Sequence, residues 1–550
     1  MRDVVVVGSG HNALVAACYL ARAGLAVEVV ERDTVVGGAV STVERFPGYR
    51  MDRGSSAHIM IRHTGIVEDL RLAACGLEYQ ELDPWGFAPF ATAEGGQEAI
   101  TFSVDLDTTC ASIAAVCGQR DADAYHRFVT DWAERNARVF SAFRSAPTGR
   151  SLGRSLWGVG RATGLGGLEL SRQFLGTGDA LLNAHFTDER LKTALAWLGA
   201  QSGPPMWETA TADLVGWNAL MHRVAPARPK GGSGMLTAAL ANRLSSYGGS
   251  LRTGDGAARI TTDGQGVSGV GTDSGEHLAA RTVVAGCHVL TTLGLVGDEA
   301  LPTGLAERAR RTIRVGNGIG MVVRLATSDL PRYPAAAADG STYRALQLLA
   351  PSRLALRTAY GDFLAGRSPQ APVALAMTPS AFDDTLAPPG RHTVTVWGQW
   401  HPYDLAGGQS WDAIGEEAGE RLVAAVEAVA PGFAASVQQL HVQTPADLER
   451  ELGLLHGNVM HVEMALDAMF FWRPLPELAG HRVPDVPGLY LTGASTHPGG
   501  GVFGASGRTV ADIVLADRTP SRPARAVGTV GRLPARAVSA VRRLGAGLRG

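Results

Sequence analysis

The chain is 550 residues long, 45% hydrophobic and 19% charged, with a formal net charge of −2. That balance excludes a disordered chain and leaves no basic footprint for nucleic acid. The length allows two or more domains with substantial cores.

The first predicted unit runs from Val4 to Gly38. Val4–Val7 reads as a buried parallel strand, because four consecutive β-branched residues suit a strand covered on both faces. Gly8, Gly10 and Ala13 follow at the spacing of a dinucleotide fingerprint. The first allows the turn, the second lets backbone approach a diphosphate, and the third lets helix lie close to strand. A helix is predicted from about Asn12 to Ala23, with Leu14, Cys18 and Ala21 on its sheet side, ended by Gly24. His11 and Asn12 open that helix, whose N-terminus suits a diphosphate. A second strand, Ala26 to Val30, ends at Glu31, an acid placed to accept hydrogen bonds from ribose hydroxyls. Arg32 follows it, and Gly37-Gly38 offers a second close backbone approach.

This unit resembles the FAD-binding N-terminus of the glutathione-reductase-like flavoproteins, which include amine oxidases and phytoene desaturases. The double glycine after the acid implies FAD and not NAD, and an Arg after the acid is common there too. The resemblance implies that the next segment, Ala39 to Met60, runs beside the ribityl chain and flavin ring. Ser41, Ser55 and Ser56 are then polar contacts. His58 is either near the ring or a buried histidine satisfied by backbone.

From Trp85 to Val224 helical patterns dominate: Leu106 to Cys117, Asp121 to Arg144 and Asp179 to Leu198. The glycines between 149 and 178 weaken any helix there, so that stretch reads as a mobile cap segment or a lipid-surface segment of mixed Arg, Leu and Trp. At Pro229 the cofactor domain returns. A helix is predicted over Met235 to Tyr247, strands over Leu251 to Thr262, Gly266 to Thr272 and Arg281 to Ala285, with Ala257 implied to approach the adenine. KGGSG is not a P-loop, since no GxxxxGK[ST] is present.

Beyond Thr303, strands are predicted over Gly320 to Arg324, Val373 to Met377 and His392 to Gln399, and a helix over Trp411 to Val429. GNGIG at 316–320 precedes a strand instead of following one, so it is not a second dinucleotide site. His461-Val462-Glu463 lacks the PCxxC of a zinc deaminase, and no HExxH occurs; no metal site is expected. Five scattered cysteines without a CxxC predict reduced thiols in the cytoplasm. The N-terminus enters its first strand at once, which predicts no signal peptide, and no apolar run reaches about 18 residues.

The last block, Gly488 to Val514, gives a strand over Leu489 to Thr492, then Gly493-Ala494, a glycine run at 499–501, and a helix from about Val502. Gly501, Val502 and Phe503 are expected to place backbone N–H groups and the helix N-terminus at the flavin edge, stabilising charge near N1 and O2. LYLTGASTHPGGGVFGASGR, with GHNAL at 10–14 and GNVMHVEMALDAMFFWRP at 457–474, resembles the phytoene desaturase (carotenoid dehydrogenase) family. It looks most like the pyridine nucleotide-disulphide oxidoreductase domain 2 branch of that family. Ala39 stands where many relatives carry Arg, one cation fewer for the diphosphate.

The resemblance implies an α/β chain: a glutathione-reductase-like FAD-binding Rossmann domain (1–84, 225–302 and 475–517) with an inserted α+β substrate or cap domain (85–224 and 303–474). It implies dehydrogenation, with hydride passing from a hydrophobic or conjugated substrate to flavin N5 and a C=C bond forming. Oxygen or a quinone would then accept the electrons. His497 and Glu463 are candidate proton acceptors; alternatively His497 holds a turn and Glu463 pairs with Arg473. Amine or amino-acid oxidation, redox-silent isomerisation and a non-catalytic scaffold remain the other readings. The tail, 518–550, carries eight arginines and no acid, which suits either an amphipathic helix on anionic lipid or a disordered end.

Overall fold

The computed structural model describes residues 2–164 and 167–519. The basic tail from 520 onward lies outside the described residues.

Val4–Val7 is the middle of a five-stranded parallel sheet, in the order Leu489–Leu491, Val283–Ala285, Val4–Val7, Val27–Val30, Ser250–Arg252. Its valines alternate: Val4 and Val6 join one hydrophobic cluster, Val5 and Val7 the other. Both faces are therefore covered, which is why the run is unbroken. Each buried valine contributes about 1.5 kcal/mol or more. The first helix, His11–Arg22, is buried along Asn12–Ala21 and not on one face alone. Helices Met235–Ser246 and Ala505–Arg518 cover the sides that the sheet does not. The helix Ala505–Arg518 thus ties the C-terminal block to the N-terminal unit, although some 490 residues separate them in sequence.

A second sheet has seven strands, in the order Val437–Gln443, Gly320–Thr327, His392–Gln399, Ala374–Met377, Leu346–Leu349, Gly86–Ala91, Gln97–Phe102. The last two come from the segment whose pattern reads as helical, a correction to the sequence reading. Their alternation is obscured because Phe87 and Ala88 are both buried, on opposite faces, in different clusters. One face of this sheet packs Met321, Val323, Leu325, Val394 and Val396 against the helix Trp411–Glu427. The opposite face presents Val322, Leu375, Met377, Thr395 and Trp397, by the period-2 rule. A short ribbon, Tyr79–Glu81 with Ala227–Pro229, pairs the strands on either side of residues 85–224.

The helical layer departs from expectation in two places. The glycine-rich stretch forms helices Gly149–Thr163 and Gly167–Leu175. Tertiary packing outweighs glycine's cost here: the first of them lies on Gln119–Phe143, and Gly158 lets Arg138 Cδ come within 3.7 Å of where a Cβ would be. The predicted helix over Asp179 to Leu198 is broken into Gly178–His185 and Glu189–Ala200. Buried Asp121 causes the break, accepting hydrogen bonds from the Thr187 and Asp188 N–H groups at 2.8 and 2.7 Å.

Candidate functional site

One cavity of about 900 Å³ runs between the two sheets. Its wall combines Gly8, Gly10, His11, Asn12, Ala13, Glu31, Arg32, Gly37, Gly38, Ser56, Ala257, Gly493, Ala494, Gly501 and Val502 with Val322, Leu375, Met377, Thr395 and Trp397. The N-terminal unit, the C-terminal block and the face of the seven-stranded sheet away from the helix Trp411–Glu427 therefore meet at one space.

The glycines of the wall differ in cause. Gly8 has φ +90, so the turn itself requires it. Gly10 has φ −58, a value open to any residue, and a Cβ there would meet no protein atom within 4 Å. Nothing in the protein demands glycine at position 10; the room it leaves belongs to the cavity. Gly37 has φ +114, and a Cβ would lie 2.5 Å from Thr237 Oγ1. That glycine serves packing. Ala13 is small because the strand end at Gly286 lies against it: a Cβ on Gly286 would come within 2.6 Å of Ala13 Cβ.

Glu31 is buried and holds the loops together. Its Oε2 accepts from Ser9 N–H and Ser9 Oγ, both at 2.7 Å, and Oε1 accepts from Asp33 N–H at 2.9 Å. Ser9 Oγ in turn accepts from Gly37 N–H at 3.0 Å. A carboxylate has about four lone-pair sites, so one remains for a ligand. Asn12 Oδ1 is buried without a hydrogen-bond partner, while Asn12 Nδ2 lies 3.0 Å from His11 Nε2. Arg32 is exposed and runs over Gly453 and Gly256.

Several expected site residues stand elsewhere. Ser41 is fully buried, its Oγ donating to Gly38 O at 2.6 Å, and it supports the glycine pair from behind instead of facing the cavity. His58 is buried, but its ring is satisfied by side chains and not by backbone, with Nδ1 2.8 Å from Tyr79 Oη and Nε2 2.9 Å from Ser233 Oγ. Phe503 is not in the wall; it is buried against Phe140 and Phe143. The helix expected from Val502 begins at Ala505, with Gly504 before it at φ +72. Its N-terminus is thus set back from the wall, and the loop Gly500 to Val502 takes its place. Val502 has φ +57, a left-handed conformation that a β-branched residue seldom adopts, as at strained functional sites.

Neither candidate proton acceptor faces the cavity. His497 is buried between Phe143 and Phe470, Nε2 donating to Ala142 O at 3.2 Å, and burial pushes its pKa down to about 3. Glu463 points outward and pairs with Arg314 at 3.1 Å, not with Arg473. Its pKa is raised by burial, against the pull of Arg314.

The sequence reading missed His288 and weighed His461 only as part of a rejected zinc motif; both line the cavity. Leu290 N–H donates to His288 Nδ1 at 3.1 Å, which leaves the proton on Nε2 to bond His461 O at 3.0 Å. His461 has φ +64, and its Nδ1 lies 3.0 Å from Ser495 Oγ. Burial lowers His11 and His288 to about 4 and His461 well below its ordinary value. All three are neutral donors or acceptors at neutral pH. The block 457–474 was recognisable, but which of its residues reach the cavity depended on its turns. Among the described residues no cluster suits a metal ion, and no helix is long and apolar enough to cross a membrane.

Comparison with known proteins places these features in context. The NAD(P)-binding Rossmann-like domain family matches residues 6–70. Pyridine nucleotide-disulfide oxidoreductase domain-containing protein 2 of Mus musculus is 32% identical over 94% of this chain and 93% of its own. Phytoene dehydrogenase of Streptomyces griseus is 28% identical over 96% and 97%. Among solved structures, an oxidoreductase from Methanosarcina mazei superposes with a TM-score of 0.61 at 15% identity, covering 94% of this chain and all of that one. Putrescine oxidase bound to putrescine gives 0.58 at 15%, covering 94% and 99%.

Proposed function

We propose a function from one plain premise: this chain belongs to the pyridine nucleotide-disulfide oxidoreductase domain-containing protein 2 family, and the broader group is one of flavin-type oxidoreductases. The reading is an FAD-dependent dehydrogenase acting on a hydrophobic substrate and forming a C=C bond.

The residues present fit FAD on this chain's own geometry. Gly10 leaves open space that no protein atom uses, and Asn12 Oδ1 is an orphaned polar atom beside it. The cavity also continues well past the fingerprint to the C-terminal glycine loop, farther than a Rossmann unit alone would line. Glu31, Arg32 and Ala257 would hold the adenosine; Gly8, Gly10, His11, Asn12, Ala13, Gly37 and Gly38 the diphosphate; and Ser56, Gly493, Ala494, Gly501 and Val502 the ring end. When bound, FAD supplies a hydride acceptor that makes dehydrogenation of an unactivated carbon chain accessible.

The single observation that carries the substrate class is the far wall. Val322, Leu346, Leu375, Met377 and Trp397 bury apolar surface against the substrate, and Thr395, Gln201 and Ser202 supply a few neutral polar contacts. The acids of the wall, Glu31, Asp273 and Glu449, accompany the adenosine residues Arg32, Ala257 and Gly453. Among the described lining residues no carboxylate comes from the seven-stranded sheet, so that wall offers a cationic amine no partner. This weighs against amine oxidation even though amine oxidases share the fold. With His497 and Glu463 turned away, proton loss goes to water or to a neutral histidine of the wall. Electrons pass on to oxygen or a quinone.

Anaerobic addition of isoprenoid hydrocarbons, small amines and amino acids in turn, with the flavin absorbance followed, tests this reading. Bleaching by the hydrocarbons alone is expected. Bleaching by amines alone overturns it, as does purified protein that is colourless and takes up no FAD. We further propose a peripheral membrane contact through the helices Gly149–Thr163 and Gly167–Leu175. Trp157 is 70% and Leu168 91% exposed there, beside Arg154 and Arg161, a composition suited to anionic lipid.

A further inference from the structure

The block from Gly457 to Pro474 folds as a succession of three-residue 3-10 turns joined by irregular backbone. One side chain holds it. Arg473 is fully buried, and its donors end on main-chain carbonyls: Nε on Ala494 at 3.1 Å, Nη1 on Glu463 and Ala468 at 3.1 Å each, and Nη2 on Met460, Val462 and Ala494 at 2.8, 3.1 and 2.6 Å. All five N–H donors of a guanidinium are satisfied in this way. Among the described residues no carboxylate pairs with it, since the nearby Glu463 side chain goes to Arg314.

Arg473 is therefore a buried cation without a counter-ion. Carbonyl dipoles satisfy its hydrogen bonds, but dipoles carry no net charge, so the full positive charge persists at longer range in a weakly screening interior. Burial lowers its pKa only to about 9, which leaves it charged at neutral pH. It stands directly behind the cavity wall. Met460 and Ala494, whose carbonyls it binds, both line the cavity, and a Cβ on Gly499 would lie 3.3 Å from its Cζ. Arg32 and Arg450, the arginines of the wall itself, belong to the adenosine end. The helix N-terminus, the other source of positive potential expected here, is set back at Ala505.

We infer that Arg473 is a positioning residue that also sets the redox balance: its unpaired charge stabilises the negative charge that a bound flavin ring gains on reduction, and so raises the reduction potential. The inference rests on the FAD reading above. The charge balances simply: hydride leaving the substrate carries two electrons and one proton, so its arrival adds one negative charge to the ring end of the cavity, opposite the guanidinium.

Arg473→Gln and Arg473→Lys, measured as holoproteins by equilibration with a reference dye, separate charge from scaffolding. Arg473→Gln is expected to keep FAD and to move the two-electron equilibrium about tenfold towards the oxidised form, ~30 mV. Arg473→Lys keeps the charge, with fewer hydrogen bonds, only where the pH is low enough to protonate a buried amine; measured there, it is expected to stay within about threefold of the parent. An unchanged potential in Arg473→Gln overturns the inference. So does an equal fall in both variants, which would assign the effect to loop geometry. If Arg473→Gln does not fold, sulfite titration of the unaltered holoprotein decides. Ready formation of the negatively charged flavin adduct supports the inference, and absence of any adduct at saturating sulfite overturns it. Unaltered protein without FAD defeats the underlying reading instead, and is seen before any variant is made.

Discussion

The two walls of the cavity are built differently. The wall supplied by the chain ends is largely backbone, exposed at Gly8, Gly10, Gly38, Gly493 and Gly501, with polar groups fixed by the Glu31–Ser9–Gly37 network. The opposite wall is side chain, carried on four adjacent strands, 320–327, 392–399, 374–377 and 346–349. A backbone wall accepts one ligand shape and tolerates almost no substitution. A side-chain wall is retuned by changing residues without disturbing the sheet. On the proposed function the first wall would hold the cofactor and the second would meet the substrate, and the difference can be broken experimentally from either side.

The largest effect is expected at Gly10. Because its φ is ordinary and no protein atom lies near the added carbon, Gly10→Ala should leave the apoprotein's unfolding midpoint nearly unchanged while FAD affinity falls by about a hundredfold, roughly 3 kcal/mol. Flavin fluorescence titration beside thermal unfolding checks both halves. Gly37→Ala should act first on the fold, and on FAD through it. The clash with Thr237 and the strained φ should cost about 3 kcal/mol of stability, read from denaturant midpoints.

On the side-chain wall, Met377→Ala should raise KM for a hydrophobic substrate by about tenfold, with FAD content and midpoint potential unaltered. A matching loss of FAD would mean that the two walls are not separable. Acid should act on the buried histidines. His11, His288 and His497 titrate near 4, 4 and 3 when folded, against 6.5 for the free side chain. The unfolded chain therefore binds more protons between these values, and the stability present above pH 6.5 should drain away as pH falls towards 4. Unfolding midpoints across that interval test the sign; greater stability at pH 5 than at pH 7 would contradict it. The smallest effect concerns Glu463. As an outward partner of Arg314, Glu463→Gln should leave the rate of flavin reduction within about twofold, and a loss beyond tenfold would return it to the mechanism. Liposome co-sedimentation of Trp157→Ser should fall modestly if the exposed helices meet lipid.

Legibility followed the range of the interactions. Val4 to Gly38 was readable because its main signals are local: the strand, the turn and the acid lie within one βαβ unit, although Ala13 and Gly37 are also held by the distant Gly286 and Thr237. His392–Gln399 and Leu106–Cys117 were found at their observed bounds because a single period dominates each. The glycine-rich helices were missed because their stability is tertiary: Gly149–Thr163 packs on the helix Gln119–Phe143 and Gly167–Leu175 on Ala212–Gly216, which local propensity does not contain. His497 and Glu463 looked reactive because both occupy distinctive motifs, yet a motif does not say which way a side chain turns. His497 is turned into the aromatic cluster and Glu463 out towards Arg314.

The sequence by itself determined the cofactor frame: a dinucleotide cradle at one end, a glycine loop at the other, and an acid between them. These depend on backbone conformations that only particular residues permit at particular spacings. Only the tertiary structure decided what faces the shared space, including the apolar strands opposite, the two neutral histidines and the unpaired guanidinium behind the loop. Those depend on register and on close packing between segments hundreds of residues apart, where a shift of one position would turn every side chain to the other face.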